Sequence, residues 1–276
     1  MTEEDSPIAQ NLKGRSGTAL VTGASGGIGY ELSRLLASEG FGLILVARSA
    51  EALATVASQL REDFGVPTLP VVLDLARPEA ADEVADELAR HGAEVDVLIN
   101  NAGFGVHGRF SETDLGSELE MLQLNVVTLT HLTKLLLPGM LHRGRGRVLN
   151  VASTAAFQPG PRMAVYFASK AYVLSLSEAL SEELRGSPVT VTALCPGATR
   201  TGFQKRSGLD RTAIGEGRMF MDAASVARDG YEGMNRGRVV VVPGIANKLL
   251  AASVRLFPRR VVTRLVGSVM ASAARK

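Results

Sequence analysis

Tyr166 and Lys170 stand four residues apart in a stretch with helical spacing, so their side chains leave one helix face about a turn apart. An ammonium so placed stabilises tyrosinate over tyrosine and brings a phenol of ordinary pKa ~10 toward proton transfer near neutrality. With four tyrosines and six lysines, such a pair arises by coincidence about one time in ten, so its neighbours matter. Ser153 lies thirteen residues earlier, just past an apolar run, as a donor to a developing oxyanion or as a helix cap. Asn100-Asn101-Ala102-Gly103 closes another apolar run, where asparagines are turn formers or ligands. Asn125 interrupts the apolar stretch Leu122, Leu124, Val126, Val127, either as a site residue or as a buried polar group bonded to backbone.

Residues so far apart in sequence meet only if the elements carry them together. Short apolar runs at 18–22, 42–47, 68–74, 95–100, 147–152, 189–194 and 238–242 have the composition of strands buried on both faces. They alternate with helical segments at 28–38, 51–63, 78–90, 117–137, 165–184 and 223–235. Strict alternation demands right-handed crossovers, hence a doubly wound parallel seven-stranded sheet between two helical layers, a single Rossmann-like α/β/α domain. Ser153 and 100–103 then fall at the carboxyl edge, where such sheets bind ligands.

The first strand runs into Thr22-Gly23-Ala24-Ser25-Gly26-Gly27-Ile28-Gly29 and a helix. Gly23, Gly27 and Gly29 permit a sharp turn, close approach of backbone N–H groups to a pyrophosphate, and tight helix packing, although the spacing differs from G-x-G-x-x-G. The same residues are formally G-x-S-x-G, a hydrolase nucleophile elbow. Few residues precede Ser25 and no histidine follows His142, which argues against an elbow and its triad. The second strand ends Ala47-Arg48-Ser49; a guanidinium here grips a 2′-phosphate, so Arg48 favours NADP over NAD, unless it is a solvated residue opening a helix. Asp74 is an acceptor for an adenine amino group or a helix N-cap ahead of Pro78.

Over roughly 13–242 the chain resembles the short-chain dehydrogenase/reductase family: the T-G-x-x-x-G-x-G run, N-N-A-G, Ser153, Y-x-x-x-K, and Cys195-Pro196-Gly197 with Thr201 occur in that family's order and spacing. The resemblance implies Tyr166 as acid/base, Ser153 as the group that orients the carbonyl, and Lys170 as holder of the nicotinamide ribose that also lowers the tyrosine pKa. It implies that Asn125 holds a water in a proton relay. It further implies cofactor contacts at Gly23, Ser25, Gly27, Ile28, Gly29, Asn101, Ala102 and Gly103, with Pro196, Gly197 and Thr201 near the nicotinamide amide. The second-strand ending is most like that of broad-specificity cytosolic reductases. The implied reaction is hydride transfer from NADPH to a carbonyl carbon while Tyr166 gives its proton to the oxygen, or the reverse on an alcohol. The helices at 117–137 and 165–184 commonly form a subunit interface in that family, implying a homodimer or homotetramer.

With 46% hydrophobic and 21% charged residues the chain builds a core without staples. A net charge of +2 argues against a nucleic-acid partner, and a single cysteine, Cys195, with four scattered histidines argues against a disulfide framework or a metal site. Acidic residues in 1–10 and apolar runs short of ~18 residues lead us to expect a soluble cytoplasmic protein. Phe104, Val106, His107, Phe157, Met163, Phe203 and Met219 are candidate pocket residues, mainly apolar, which favours a hydrophobic ketone or aldehyde over a sugar phosphate. His107 is a surface-loop histidine or, less simply, a second acid.

Residues 199–222 are polar and aperiodic, a mobile flap or a plain surface connection. Residues 245–276 extend the 1–244 catalytic unit with seven basic side chains, no acidic one, and interleaved apolar residues broken at Pro258. This extension packs over the site or against another subunit, lies solvated, or attaches to an anionic membrane surface. An NADPH-sensing protein without turnover is the alternative to an enzyme acting on an apolar carbonyl or alcohol.

Overall fold

A computed structural model of the chain describes residues 12–209, 220–254 and 256–272. Strands β1 (Thr18–Thr22), β2 (Gly42–Ala47), β3 (Thr68–Val72), β4 (Val97–Asn100), β5 (Gly146–Val151), β6 (Val189–Leu194) and β7 (Val240–Val241) form one parallel sheet, ordered β3-β2-β1-β4-β5-β6-β7. Side chains alternate along each strand, so Ala19, Val21, Leu43 and Leu45 enter one layer while Leu20, Ile44 and Val46 enter the other. The first layer is closed by α1 (Gly27–Ser38), α2 (Ala50–Phe64) and, farther along, α8 (Ala223–Asn235), through Leu32, Leu36, Leu53, Leu60 and Val226. Helix α3 (Ala80–Arg90), the long helix built from α4 (Leu115–Leu122) and α5 (Leu129–His142), and α6 (Ala164–Glu183) close the second. Both faces are covered, which explains why the strands carry apolar residues on both faces, most completely in β2.

Two edge strands are shorter than their sequence runs. β3 stops at Val72 because its one neighbour, β2, ends opposite it at Ala47, and β7 is limited to the two residues that pair with Ala193 and Leu194. The helix anticipated at 117–137 is longer. α4 and α5 are joined through a π-helical segment, Gln123–Thr128, into one helix, Leu115–His142, long and apolar enough to cross a membrane by length and composition. That corrects the expectation that no apolar stretch reaches this length. Its polar side chains are tied into the core: Thr128 Oγ1 donates to Leu75 O at 2.8 Å, and Asn100 Nδ2 on β4 donates to Thr133 Oγ1 at 3.0 Å.

Within 199–222 the described residues hold local structure that their polar, aperiodic sequence does not announce. Helix α7 (Phe203–Ser207) follows Thr199, which bridges to Met221, and Arg200 N donates to Met221 O at 2.9 Å. Residues 210–219, including Met219, lie outside the described residues. The extension consists of α9 (Ile245–Ser253) and α10 (Arg259–Ser272), separated near Pro258.

Candidate active site

Strand order reverses between β1 and β4, and the crevice outside their carboxyl ends is the natural binding place in such a sheet. A cavity of about 460 Å³ opens there, lined by Gly23, Ser25, Gly27, Ile28, Asn101, Ala102 and Gly103. Gly23 has φ +66°, and a Cβ on it would lie 2.8 Å from Asn101 Nδ2, so both backbone freedom and space require glycine. Gly29 does not face the cavity; a Cβ there would meet Gly23 O at 2.3 Å, so its part is to let α1 close on the β1 turn. Gly26, the N-cap of α1, offers no side-chain hydrogen bond, leaving first-turn N–H groups to an anion. Asn101 fixes the turn by donating from Nδ2 to Thr22 O and Gly23 O at 2.9 and 3.1 Å.

Arg48 and Asp74 line the far end, 3.9 Å apart and both well exposed. Asp74 is not the cap of α3, whose N-cap is Glu79; it accepts from Ala76 N at 3.1 Å in a local turn. A second guanidinium, that of Arg206 on α7, lines the same cavity and lies 4.5 Å from the Phe104 ring centroid. Burial, aided by the charge of Arg48, lowers its pKa. Sequence reasoning missed Arg206 because no motif marks it and the folding of the flap was not legible. Glycine turn, uncapped helix start and paired guanidiniums together fit a phosphorylated dinucleotide.

A second cavity, of about 580 Å³, continues from the first across shared walls at Asn101, Gly103, Thr201 and Phe203. Ser153, Tyr166, Lys170, Pro196 and Gly197 line it. Ser153 follows β5, and its Oγ accepts from Ala155 N at 3.1 Å, so it also caps the short turn after the strand. Tyr166 and Lys170 sit on one face of α6, the Lys170 Nζ 5.9 Å from the phenol ring centroid. Burial pushes the Tyr166 hydroxyl up to about 12, with the Ser153 hydroxyl pulling the other way. The acidification expected from Lys170 does not appear here: desolvation raises the phenol, and the one influence lowering it is the Ser153 hydroxyl. The Lys170 ammonium donates to Val151 O at 2.8 Å, and burial brings it down to about 8. Burial pushes Cys195, behind it, up to about 12, so it carries little thiolate near neutrality.

Asn125 lines neither cavity. It is fully buried in the π-helical segment, where its Nδ2 donates to Phe104 O and Ser169 Oγ at 2.9 and 3.2 Å, and its Oδ1 accepts from Phe104 N. It still converges with Lys170 on Gly103, where a Cβ would lie 2.9 Å from Asn125 Oδ1 and 3.4 Å from Lys170 Nζ.

Of the expected pocket residues, Met163 and Phe203 line the second cavity, with Phe203 stacked 5.3 Å from the Tyr166 ring. Phe104, Val106, His107 and Phe157 do not. Phe104 is buried beneath Arg206, Val106 packs into the second core layer, and Phe157 packs on the cluster containing Leu129 and Val173. His107 lies in a loop but is half-buried, and its Nε2 is buried with no hydrogen-bond partner among the described residues. The missing wall comes from Leu209, Phe220 and the extension, through Leu250, Phe257 and Val262. No group of three or more His, Cys, Asp or Glu side chains among the described residues could hold a metal.

The sequence matches the model of the family described as short chain dehydrogenase over residues 17–212. It is 40% identical over 189 residues to a putative ketoacyl reductase of Streptomyces coelicolor, covering 67% of this chain and 72% of that one. It is 32% identical over 191 residues to the very-long-chain 3-oxoacyl-CoA reductase of Homo sapiens, covering 68% of this chain and 61% of that one. The match thus spans about three fifths of the length of such relatives. A solved short-chain dehydrogenase from Sphingobium yanoikuyae in complex with NADPH superposes with a TM-score of 0.78 at 33% identity, over 86% of this chain and 92% of that one.

Proposed function

The chain belongs to the short-chain dehydrogenase family of oxidoreductases, and on that premise we propose that it reduces an apolar carbonyl substrate of ketoacyl type, using NADPH in preference to NADH. The observation that carries this reading is the junction of the two cavities. The phosphate-suited crevice and the apolar chamber share one wall, and the phenol and hydroxyl of Tyr166 and Ser153 open into the chamber.

Gly23, Ser25, Gly27, Ile28, Asn101, Ala102 and Gly103 would hold the dinucleotide, with Arg48 and Arg206 at its 2′-phosphate or pyrophosphate and Pro196, Gly197 and Thr201 near the nicotinamide. NADPH supplies a hydride to the substrate's carbonyl carbon when bound there. The Tyr166 hydroxyl donates its proton to the carbonyl oxygen, and the Ser153 hydroxyl gives a second hydrogen bond that strengthens as charge develops on that oxygen. A phenol held up to about 12 is protonated throughout the neutral range, the state that reduction requires. Lys170 would position the ribose with an ammonium already tethered to Val151, while Asn125, its side-chain amide committed to Phe104 and Ser169 and not to a relay water, holds the loop at Phe104 against α6. Met163, Phe203, Leu209 and Phe220 exclude water and accept an acyl chain. We assign the reaction to the cytoplasm, where a lone thiol such as Cys195 stays reduced.

The test is NADPH absorbance followed across 3-ketoacyl thioesters of increasing chain length, apolar aldehydes and ketones, and sugar phosphates, with esters alongside for hydrolysis. Turnover that improves with chain length supports the reading. NADPH binding with no turnover anywhere in the panel would instead identify a dinucleotide sensor.

A further inference from the structure

The outer side of α9 and α10 takes no part in that reaction. The inner side is packed: Ala251 and Val262 are buried, and Gly267 seats against Pro161. Outward, Leu256 is 82% exposed, Leu249 67% and Leu265 64%, an unusual density of large apolar side chains in water. Lys248, Arg259, Arg260 and Arg264 are exposed among them, with no carboxylate anywhere in 245–276 and no ion pair to these four among the described residues. On α10 the helical repeat places Arg260 and Arg264 in a row directly beside the row of Val261 and Leu265. Leu250, Phe257, Val261 and Leu265 are also the rim of the apolar chamber, so the apolar surface runs without a break from the outside to Tyr166.

We propose that this face docks on the surface of an anionic lipid bilayer, with the chamber mouth turned toward the acyl region. Charge decides between a bilayer and a second copy of the chain. A self-paired face would bring two sets of cations together without one acidic partner from the segment, whereas anionic headgroups neutralise the arginines as the acyl boundary covers the leucines. The site is peripheral, since α9 and α10 have nine and fourteen residues and neither spans a bilayer.

The experiment is sedimentation of the full chain with phosphatidylcholine vesicles, with and without phosphatidylglycerol, at low and high salt. It needs no turnover, so it stands apart from the proposed reaction. Three proteins are compared: wild type, Arg260→Gln/Arg264→Gln, and Leu249→Ser/Leu256→Ser, all four positions being exposed and outside the chamber lining. Binding is expected on anionic vesicles and to be released by salt. The arginine pair should weaken it about thirtyfold, from roughly fivefold per cation near an anionic surface. The leucine pair should weaken it about tenfold or more, with unchanged melting temperatures and NADPH affinity. Equal sedimentation with both vesicle types, or variants that bind like wild type, would overturn the proposal. So would a wild type that ignores vesicles and forms a dimer which Leu249→Ser/Leu256→Ser dissociates, since the face would then belong to a second copy.

Discussion

At Lys170 the fold works against its own stability. The ammonium is buried, has no carboxylate partner among the described residues, and donates to Val151 O, while burial brings its pKa down to about 8 from the ordinary 10.5. Its folded pKa is depressed, so the penalty is fully present below pH 8 and lifts as pH rises toward 10.5. Lys170→Met is therefore expected to stabilise the protein by roughly 2 kcal/mol at pH 7 and to show a shrinking difference by pH 10, in urea melts at both pH values. Retaining this lysine despite that cost fits a task at the bound ribose. Arg48 makes the opposite case. Exposed and 3.9 Å from Asp74, it contributes little to stability. Arg48→Ala should raise the Kd for NADPH about tenfold or more, a charge-assisted hydrogen bond being worth ~1.5–3 kcal/mol, and leave NADH nearly unchanged; equal effects on the two would defeat the coenzyme preference.

At the scale of elements, the β1–α1 turn sets whether the dinucleotide crevice exists. Gly29→Ala would place a methyl 2.3 Å from Gly23 O, which is backbone and cannot swing aside, so α1 must move. We expect a destabilisation of about 1–3 kcal/mol and a loss of NADPH binding greater than that of Arg48→Ala, read by thermal melting and fluorescence titration. This turn was legible in sequence because its glycines are dictated locally by φ and contact. So were β1, β2 and β6, whose predicted bounds match the structure because each is a short, largely buried run rich in apolar and β-branched residues. Less was legible wherever a role depends on what lies across a gap. Phe104 and Phe157 have the chemistry of pocket residues but point into packing, while Leu250, Phe257 and Val262, far along the chain, wall the chamber instead. The phenol's rise to about 12 was hidden as well, because spacing locates Lys170 but says nothing of desolvation.

For the whole molecule, the continuous helix 115–142 and α6 leave Leu115, Leu119 and Tyr172 exposed, a face remote from the extension in sequence and suited to the subunit contact implied by the family. Light scattering should give a homodimer or homotetramer, and Leu119→Asp should reduce its mass; a wild-type monomer would contradict this assembly. Catalysis nevertheless turns on one proton. The most direct measurement compares Tyr166→Phe with wild type in both NADPH affinity and turnover of a substrate found in the ketoacyl panel. NADPH is expected to bind within a few-fold while turnover falls by at least about a thousandfold, within the range general-acid catalysis contributes. Turnover retained within tenfold would show that another group delivers the proton.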